Sequence, residues 1–197
     1  MDREQATSWF DRLYTAAGGD SRAVPWADLV PGPEMVAWLD AYPDLSGRAL
    51  VVGCGLGDDA EHLAERGFDV TAFDVSPEAI AWCRRRFPTS QVDYVVADLF
   101  DQPTSWSLAF DLVLELRTVQ SLPLNLREET VAAVAAPVGP GGTLLLVAWS
   151  RPQGTQTGGP PWPASKEELA FLERTGLEER SFDTTGELMT AGYRRPT

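Results

Sequence analysis

Residues 49–59 read Ala-Leu-Val-Val-Gly-Cys-Gly-Leu-Gly-Asp-Asp: an apolar run, a turn with three glycines, and the acidic start of a helix. Four apolar residues closed by glycine suit a strand buried on both faces of a parallel sheet. Gly53, Gly55 and Gly57 admit positive φ and let a ligand approach the backbone closely. The next apolar stretch, Phe68 to Phe73, ends on Asp74, where a carboxylate can accept hydrogen bonds from both ribose hydroxyls of an adenosine. The pattern predicts an adenosine-containing cofactor, with the three glycines against its far end, Asp74 on the ribose, and Val75 and Ser76 at the adenine edge.

Shifted by two residues, Gly55-Leu56-Gly57-Asp58-Asp59-Ala60 also fits the dinucleotide fingerprint G-x-G-x-x-G/A. Two features oppose that alignment. The natural strand end is Val52, which puts Asp58 where the third small residue belongs. Asp58 and Asp59 then occupy the helix N-terminus, where a pyrophosphate would have to sit. Two carboxylates there favour a cofactor with no phosphate and a cationic end, a description that S-adenosylmethionine (SAM) meets.

Outward from this unit the pattern alternates strand and helix. Ser76-Pro77-Glu78 opens a helix to about Phe87, with Ser76 as N-cap and Pro77 in the first turn. Strands are expected at Val92–Ala97, Phe110–Glu115 and Thr143–Trp149, the last entered through Pro140-Gly141-Gly142, with a helix from about Leu126 to Ala136. Ser165-Lys166-Glu167-Glu168 is a capping box, and residues 177–183 and 187–194 read as a terminal antiparallel pair. Upstream, Ala6, Trp9, Phe10, Leu13, Tyr14 and Ala17 recur at helical spacing until Gly18-Gly19, and Pro33 to Ala41 reads as a second helix. The expected organisation is one α/β domain with a doubly wound, mostly parallel sheet: residues 46–197 as core, and residues 1–45 as a helical extension that covers one edge or closes as a lid. Ligands in such sheets bind at the carboxyl ends of the strands, near the order reversal.

A hydrophobic fraction of 44% removes disorder from consideration, and a net charge of −13 opposes binding to nucleic acid or to an anionic membrane surface. The partner is therefore expected to be a small molecule, and the protein a monomer or weak dimer. Met-Asp-Arg-Glu-Gln lacks the basic start and apolar core of a signal peptide, which predicts a cytoplasmic location. Two cysteines make no disulfide framework and no metal cluster; Cys54 in the glycine turn and Cys83 in a helix are expected to lie apart. The lone His62 reads as a packing or surface residue.

The segment Val51 to Ala64, with Asp74, Asp98 and the Pro140-Gly141-Gly142 turn, resembles the class I SAM-dependent methyltransferases, over most of the chain from Gly47 to Trp149. Within them, Gly-Cys-Gly-Leu-Gly-Asp-Asp-Ala-Glu-His-Leu-Ala-Glu-Arg-Gly, Phe-Asp-Val-Ser-Pro-Glu-Ala-Ile and Gly159-Pro160-Pro161-Trp162-Pro163 are similar to the thiopurine and tellurite methyltransferase branch. The resemblance implies a seven-stranded Rossmann-like sheet, SAM as cofactor and S-adenosylhomocysteine as product. It further implies that Cys54 and Asp59 belong to the cofactor turn, that Asp98 accepts from the adenine amino group, and that Leu99 packs the ring.

Glu115 and Arg117 end the fourth strand, the position that faces the transferred methyl in this fold, and Glu115 is also expected to border the cofactor. They are the candidates for catalytic or acceptor contacts, with a structural pairing of Arg117 to Glu115 as the alternative reading of the arginine. Trp26 and Trp149 are candidates for cation–π contact with a sulfonium. Methyl transfer is an in-line displacement at an activated carbon, so positioning is the main task. A thiol with a pKa of about 8.5 supplies thiolate near neutrality without a base, whereas a phenol or ammonium needs one. No strong base is evident, which points to S-methylation of a thiol or related chalcogen. An O- or N-methyltransferase using Glu115 or His62, and a SAM-binding protein without catalysis, stay open.

Overall fold

The computed structural model describes residues 3–155 and 157–197. Helices α1 (Arg3–Ala17) and α2 (Pro33–Ala41) precede β1 (Arg48–Val52), α3 (Asp58–Glu65), β2 (Asp69–Asp74), α4 (Pro77–Arg86) and β3 (Asp93–Val96). Then follow β4 (Phe110–Leu116), α5 (Arg127–Ala135), β5 (Val138–Trp149), α6 (Lys166–Leu169), α7 (Phe171–Arg174), β6 (Glu178–Thr185) and β7 (Leu188–Arg194). Local chemistry sets several of these limits. Pro33 pre-sets the first turn of α2. Ser76 caps α4, accepting from the Ala79 amide at 3.1 Å, and Ser165 with Glu168 forms the expected capping box.

The seven strands take the order β3-β2-β1-β4-β5-β7-β6, with β7 antiparallel to both its neighbours and the other pairs parallel. The order reverses between β1 and β4. Val52 pairs with Phe73 on one side and with Glu115 on the other, so Gly53, Asp74 and Leu116 leave the sheet along a common edge.

Alternate strand residues feed two cores, because successive side chains point to opposite faces. Leu50, Val52, Val113, Leu144 and Leu146 pack with Val131, Val134, Leu169 and Leu172 from α5, α6 and α7. On the other face Ala49, Val51, Leu112, Leu114, Leu145 and Val147 pack with Met35, Leu39, Ala60 and Leu63 from α2 and α3. No helix among the described residues is long and apolar enough to cross a membrane.

The largest boundary difference from the sequence reading is that β5 starts at Val138, not Thr143. Phe110 pairs with Val138 and Leu112 with Thr143, so Pro140-Gly141-Gly142 is a bulge inside the strand. A Cβ on Gly142 would lie 2.6 Å from the Phe110 carbonyl oxygen, which is why glycine stands there.

Gly57 closes the turn onto α3 with φ +92°, and a Cβ there would lie 2.5 Å from the Tyr94 hydroxyl oxygen and 3.2 Å from Cys83 Sγ. Gly57→Ala is therefore expected to cost about 1–3 kcal/mol of stability through strain and overpacking. The measurement is a lower urea midpoint with an unchanged m-value; an unshifted midpoint would mean the turn relaxes freely.

Candidate active site

Asp74 organises the strand ends. Its Oδ2 accepts from the Gly55 amide at 3.1 Å and its Oδ1 from the Ser76 amide at 2.9 Å. The Val75 amide also favours the charged form, yet burial outweighs all three donors and pushes the carboxyl up to about 6. The Cys54 amide donates to the Phe73 carbonyl at 2.8 Å, which prolongs the β1–β2 ladder into the turn. With about four lone-pair sites and three amide donors, the Asp74 carboxylate keeps some acceptor capacity.

The N-terminal extension walls this turn. Asp11 on α1 accepts from Ser76 Oγ at 2.7 Å, so α1 is fastened to the start of α4. Trp26 Nε1 donates to the Tyr14 hydroxyl oxygen at 2.9 Å. The Trp26 ring stands 5.8 Å from those of Trp9 and Tyr14 and 6.0 Å from that of Phe10. A Cβ on Gly55, whose φ is +55°, would lie 3.3 Å from the Tyr14 hydroxyl and 3.9 Å from Trp26 Nε1. Sequence reasoning selected Trp26 but missed Tyr14 and Asp11. Tyr14 looked like one more member of an apolar stripe, and no local signal marks Asp11.

The acidic pair after the glycines has partners of its own. Asp58 forms a two-pronged pair with Arg86 at 2.7 and 2.8 Å. Its charge is thus neutralised, and repulsion of a diphosphate rests on Asp59. Asp59 Oδ1 accepts from the Gly32 amide at 2.7 Å, fixing the loop before α2 to α3. Burial raises the Asp59 carboxyl above its ordinary value. The two cysteines, expected apart, are neighbours beneath the turn: the nearby Cys83 thiol, with burial, raises the Cys54 thiol well above its usual range. Cys83 Sγ also donates to the Gly55 carbonyl at 3.2 Å. Parallel β1–β2 pairing brings α4 under the turn, which spacing alone does not reveal.

On the adenine side, Asp98 accepts from the Phe100 amide at 2.9 Å and Leu99 is buried at 7% exposure, so both lie just past β3. At the end of β4 the two candidates diverge. Glu115 is fully buried; its Oε1 accepts from the Val119 amide at 2.8 Å, while Oε2 has no partner. It braces the chain after β4 and does not pair with Arg117. Burial pushes its carboxyl up to about 7, against the lowering effect of the Val119 and Thr118 amides and of Arg127. Arg117 instead faces the loop before α2, 3.6 Å from Asp28 and 3.9 Å from Glu34. His62 lies on α3, one turn past Asp59, with a buried, unpartnered Nε2.

These residues fit SAM. Gly55 offers a cradle that any Cβ would fill, and the buried Asp74 carboxylate retains acceptor capacity for a vicinal diol. Half-buried aromatic surface at Trp26 stands beside the cradle, suited to a cation.

A family model described as a methyltransferase domain matches residues 49–142. The ubiquinone biosynthesis O-methyltransferase of Azoarcus sp. is 30% identical over 122 residues, covering 60% of this chain and 52% of that protein. The chain thus spans about half the length of that curated relative. The thiopurine S-methyltransferase of Vibrio parahaemolyticus is 27% identical, with 68% of each chain covered. The probable thiol methyltransferase 2 of Arabidopsis thaliana is 27% identical over 81% of this chain and 74% of that one. Among solved structures, one concerned with conversion of a disulfide bond into a thioacetal group during echinomycin biosynthesis superposes with a TM-score of 0.77 and 26% identity, covering 96% and 91% of the two chains. The [4+2]-cyclase SpnF superposes with a TM-score of 0.76 at 17% identity, covering 98% and 95%, a likeness of fold alone.

The buried Glu115 makes a testable contribution to stability. Below its unfolded value near 4.5 the carboxyl is protonated in both states; between there and about 7 only the fold keeps the proton; above about 7 it is charged in both. Stability should therefore fall as pH rises through that interval and stay lower above it. Glu115→Gln is expected to remove this share of the pH dependence and to raise stability at pH ~8 by about 1–3 kcal/mol. Urea unfolding of both proteins at acid and alkaline pH measures it; parallel curves would mean that Glu115 is ionised throughout.

Proposed function

We propose that the chain is a class I SAM-dependent methyltransferase that transfers the SAM methyl group to a small-molecule thiol or related chalcogen, a reading supported by the methyltransferase-domain match and the similar relatives. The observation that carries the thiol is the set of titratable groups at the ends of β4 and β5. Glu115 is sealed inside the fold, and Asp28 and Glu34 face Arg117. The Tyr14 hydroxyl is held well above its ordinary value by burial and by Asp74, so it does not ionise near neutrality. The single lysine, Lys166, pairs with Glu179 on β6. A nucleophile that brings its own charge fits this setting, and a thiolate does. The names of the Vibrio and Arabidopsis relatives support the same choice.

When bound, SAM would supply an electrophilic methyl on a cationic sulfur. The chain's task is then to hold and orient: Asp74 for the ribose diol, Asp98 and Leu99 for the base, and the Gly53–Gly57 backbone for the amino-acid end. Trp26 offers its ring face to positive charge, and Tyr14 holds that ring in place through its hydroxyl. Residues 1–45 are read as part of the same single domain, a cover over the cofactor turn. An O- or N-acceptor is the second reading, favoured by the name of the Azoarcus relative; it requires a base at the strand ends.

Two experiments test the proposal. Asp74→Ala is expected to weaken S-adenosylhomocysteine binding by about 1.5–3 kcal/mol in calorimetric titration, since hydrogen bonds to an ionised group are lost. Undiminished affinity in a cooperatively folded variant would remove Asp74 from the site. Across thiols of different acidity, the pH–rate profile should move with the pKa of the acceptor. A profile that stays fixed would reveal a protein base, and turnover confined to phenols or amines would overturn the thiol assignment.

A further inference from the structure

Arg117 directly follows β4, and its geometry is costly. Its φ of +66° lies in the left-handed region, where only Leu29, Leu108 and Arg117 stand among the described non-glycine residues. Such backbone costs roughly 1–3 kcal/mol and persists where the surroundings enforce it, often at ligand sites. Here the Arg117 amide donates to the Val147 carbonyl at 2.8 Å, so the sheet itself imposes the conformation.

The guanidinium gains little within the fold in return. Its Nε is buried with no hydrogen-bond partner. The contacts with Asp28 at 3.6 Å and Glu34 at 3.9 Å are too long to be hydrogen bonds, and the Asp28 side chain is 70% exposed. An exposed pair of that kind is worth at most about 1 kcal/mol. The third carboxylate nearby, Asp59, already accepts from the Gly32 amide. A planar fork of donors with no geometric match among its neighbours is suited to a bidentate carboxylate.

Exposed apolar side chains stand close by along the chain and on the neighbouring strand. Leu29 and Val30, next to Asp28, are 43% and 60% exposed, and Trp149, two residues beyond Val147, is 41% exposed. We infer that Arg117 is the anion receptor of the acceptor subsite, and that the acceptor is an apolar molecule bearing a carboxylate as well as its nucleophile. The inference deepens the methyl-transfer reading and rests on it only for calling the ligand an acceptor. An incoming carboxylate replaces the loose Asp28 contact, and its apolar body covers Leu29, Val30 and Trp149.

The test is calorimetric binding, with and without saturating S-adenosylhomocysteine, of two matched pairs: mercaptohexanoate against hexanethiol, and hexanoate against hexanol. The wild-type protein should favour each carboxylate at least about tenfold, the order expected for one charge-assisted hydrogen-bonded contact. Arg117→Gly suits the left-handed backbone, so the fold is retained. It should erase the preference while leaving S-adenosylhomocysteine affinity within about twofold, and Arg117→Lys should restore part of it. No preference in the wild type, or a preference that survives Arg117→Gly, overturns the inference. So does a large loss of S-adenosylhomocysteine affinity in Arg117→Gly, which would assign the guanidinium to the cofactor. A hexanoate preference without methylation of any thiol would sink the thiol reading and leave the anion receptor standing.

Discussion

A single buried carboxylate joins the two turns on which this fold depends. Asp74 receives the amide of Gly55 from the turn after β1 and that of Ser76 from the start of α4. Without it, two amides at the order reversal of the sheet would be left without partners away from water, at a cost of the order of 1–3 kcal/mol each. The same carboxylate that braces the backbone is the one proposed to receive ligand hydroxyls. Its desolvation is the counterpart of that double role: burial holds the proton on to about pH 6 even with three amides pointing at it. The turn is fixed in place because the group proposed to bind ligand is also a structural one.

Around that brace the remaining polar groups divide labour by partner. Asp58 is spent on Arg86, Asp59 on Gly32, and Glu115 on the chain after β4. Arg127, also buried, reaches the Trp162 carbonyl at 2.6 Å and Glu168 at 3.2 Å, and so ties the proline-rich segment before α6 to α5. Acidic residues that look alike in sequence thus serve three ends: helix pairing, loop anchoring and turn bracing.

What could be read beforehand was what local chemistry decides. The limits of α1 and α2, the Ser76 cap and the capping box at Ser165 follow from residues within a few positions of one another, and the alternating pattern carried the sheet topology. What escaped depends on distant partners. Asp58 and Arg86 are 28 residues apart, Gly32 and Asp59 27, and Asp11 and Ser76 65. No local signal marks a carboxylate as taken. The meeting of Cys54 with Cys83 and the sealing of Glu115 belong to the same class, since both follow from how strands stack and not from spacing. The bulge at Gly141-Gly142 was half legible: the glycines signalled a turn, but only the Phe110 carbonyl shows why the strand begins before them.

The docking of α1 also bears on the order in which the chain can fold. A helix of 15 residues is marginal in isolation. Its anchor for Asp11 is Ser76, and the turn over which Tyr14 sits is held by Asp74, so its docking surface does not exist until β1, β2 and the start of α4 have assembled. Closing a loop of 65 residues adds an entropic cost that local helix formation does not bear. During synthesis the first helix leaves the ribosome well before the strands it will cover. The wall of the pocket is made first and set last, so the pocket becomes complete only when the central sheet can already stand without it.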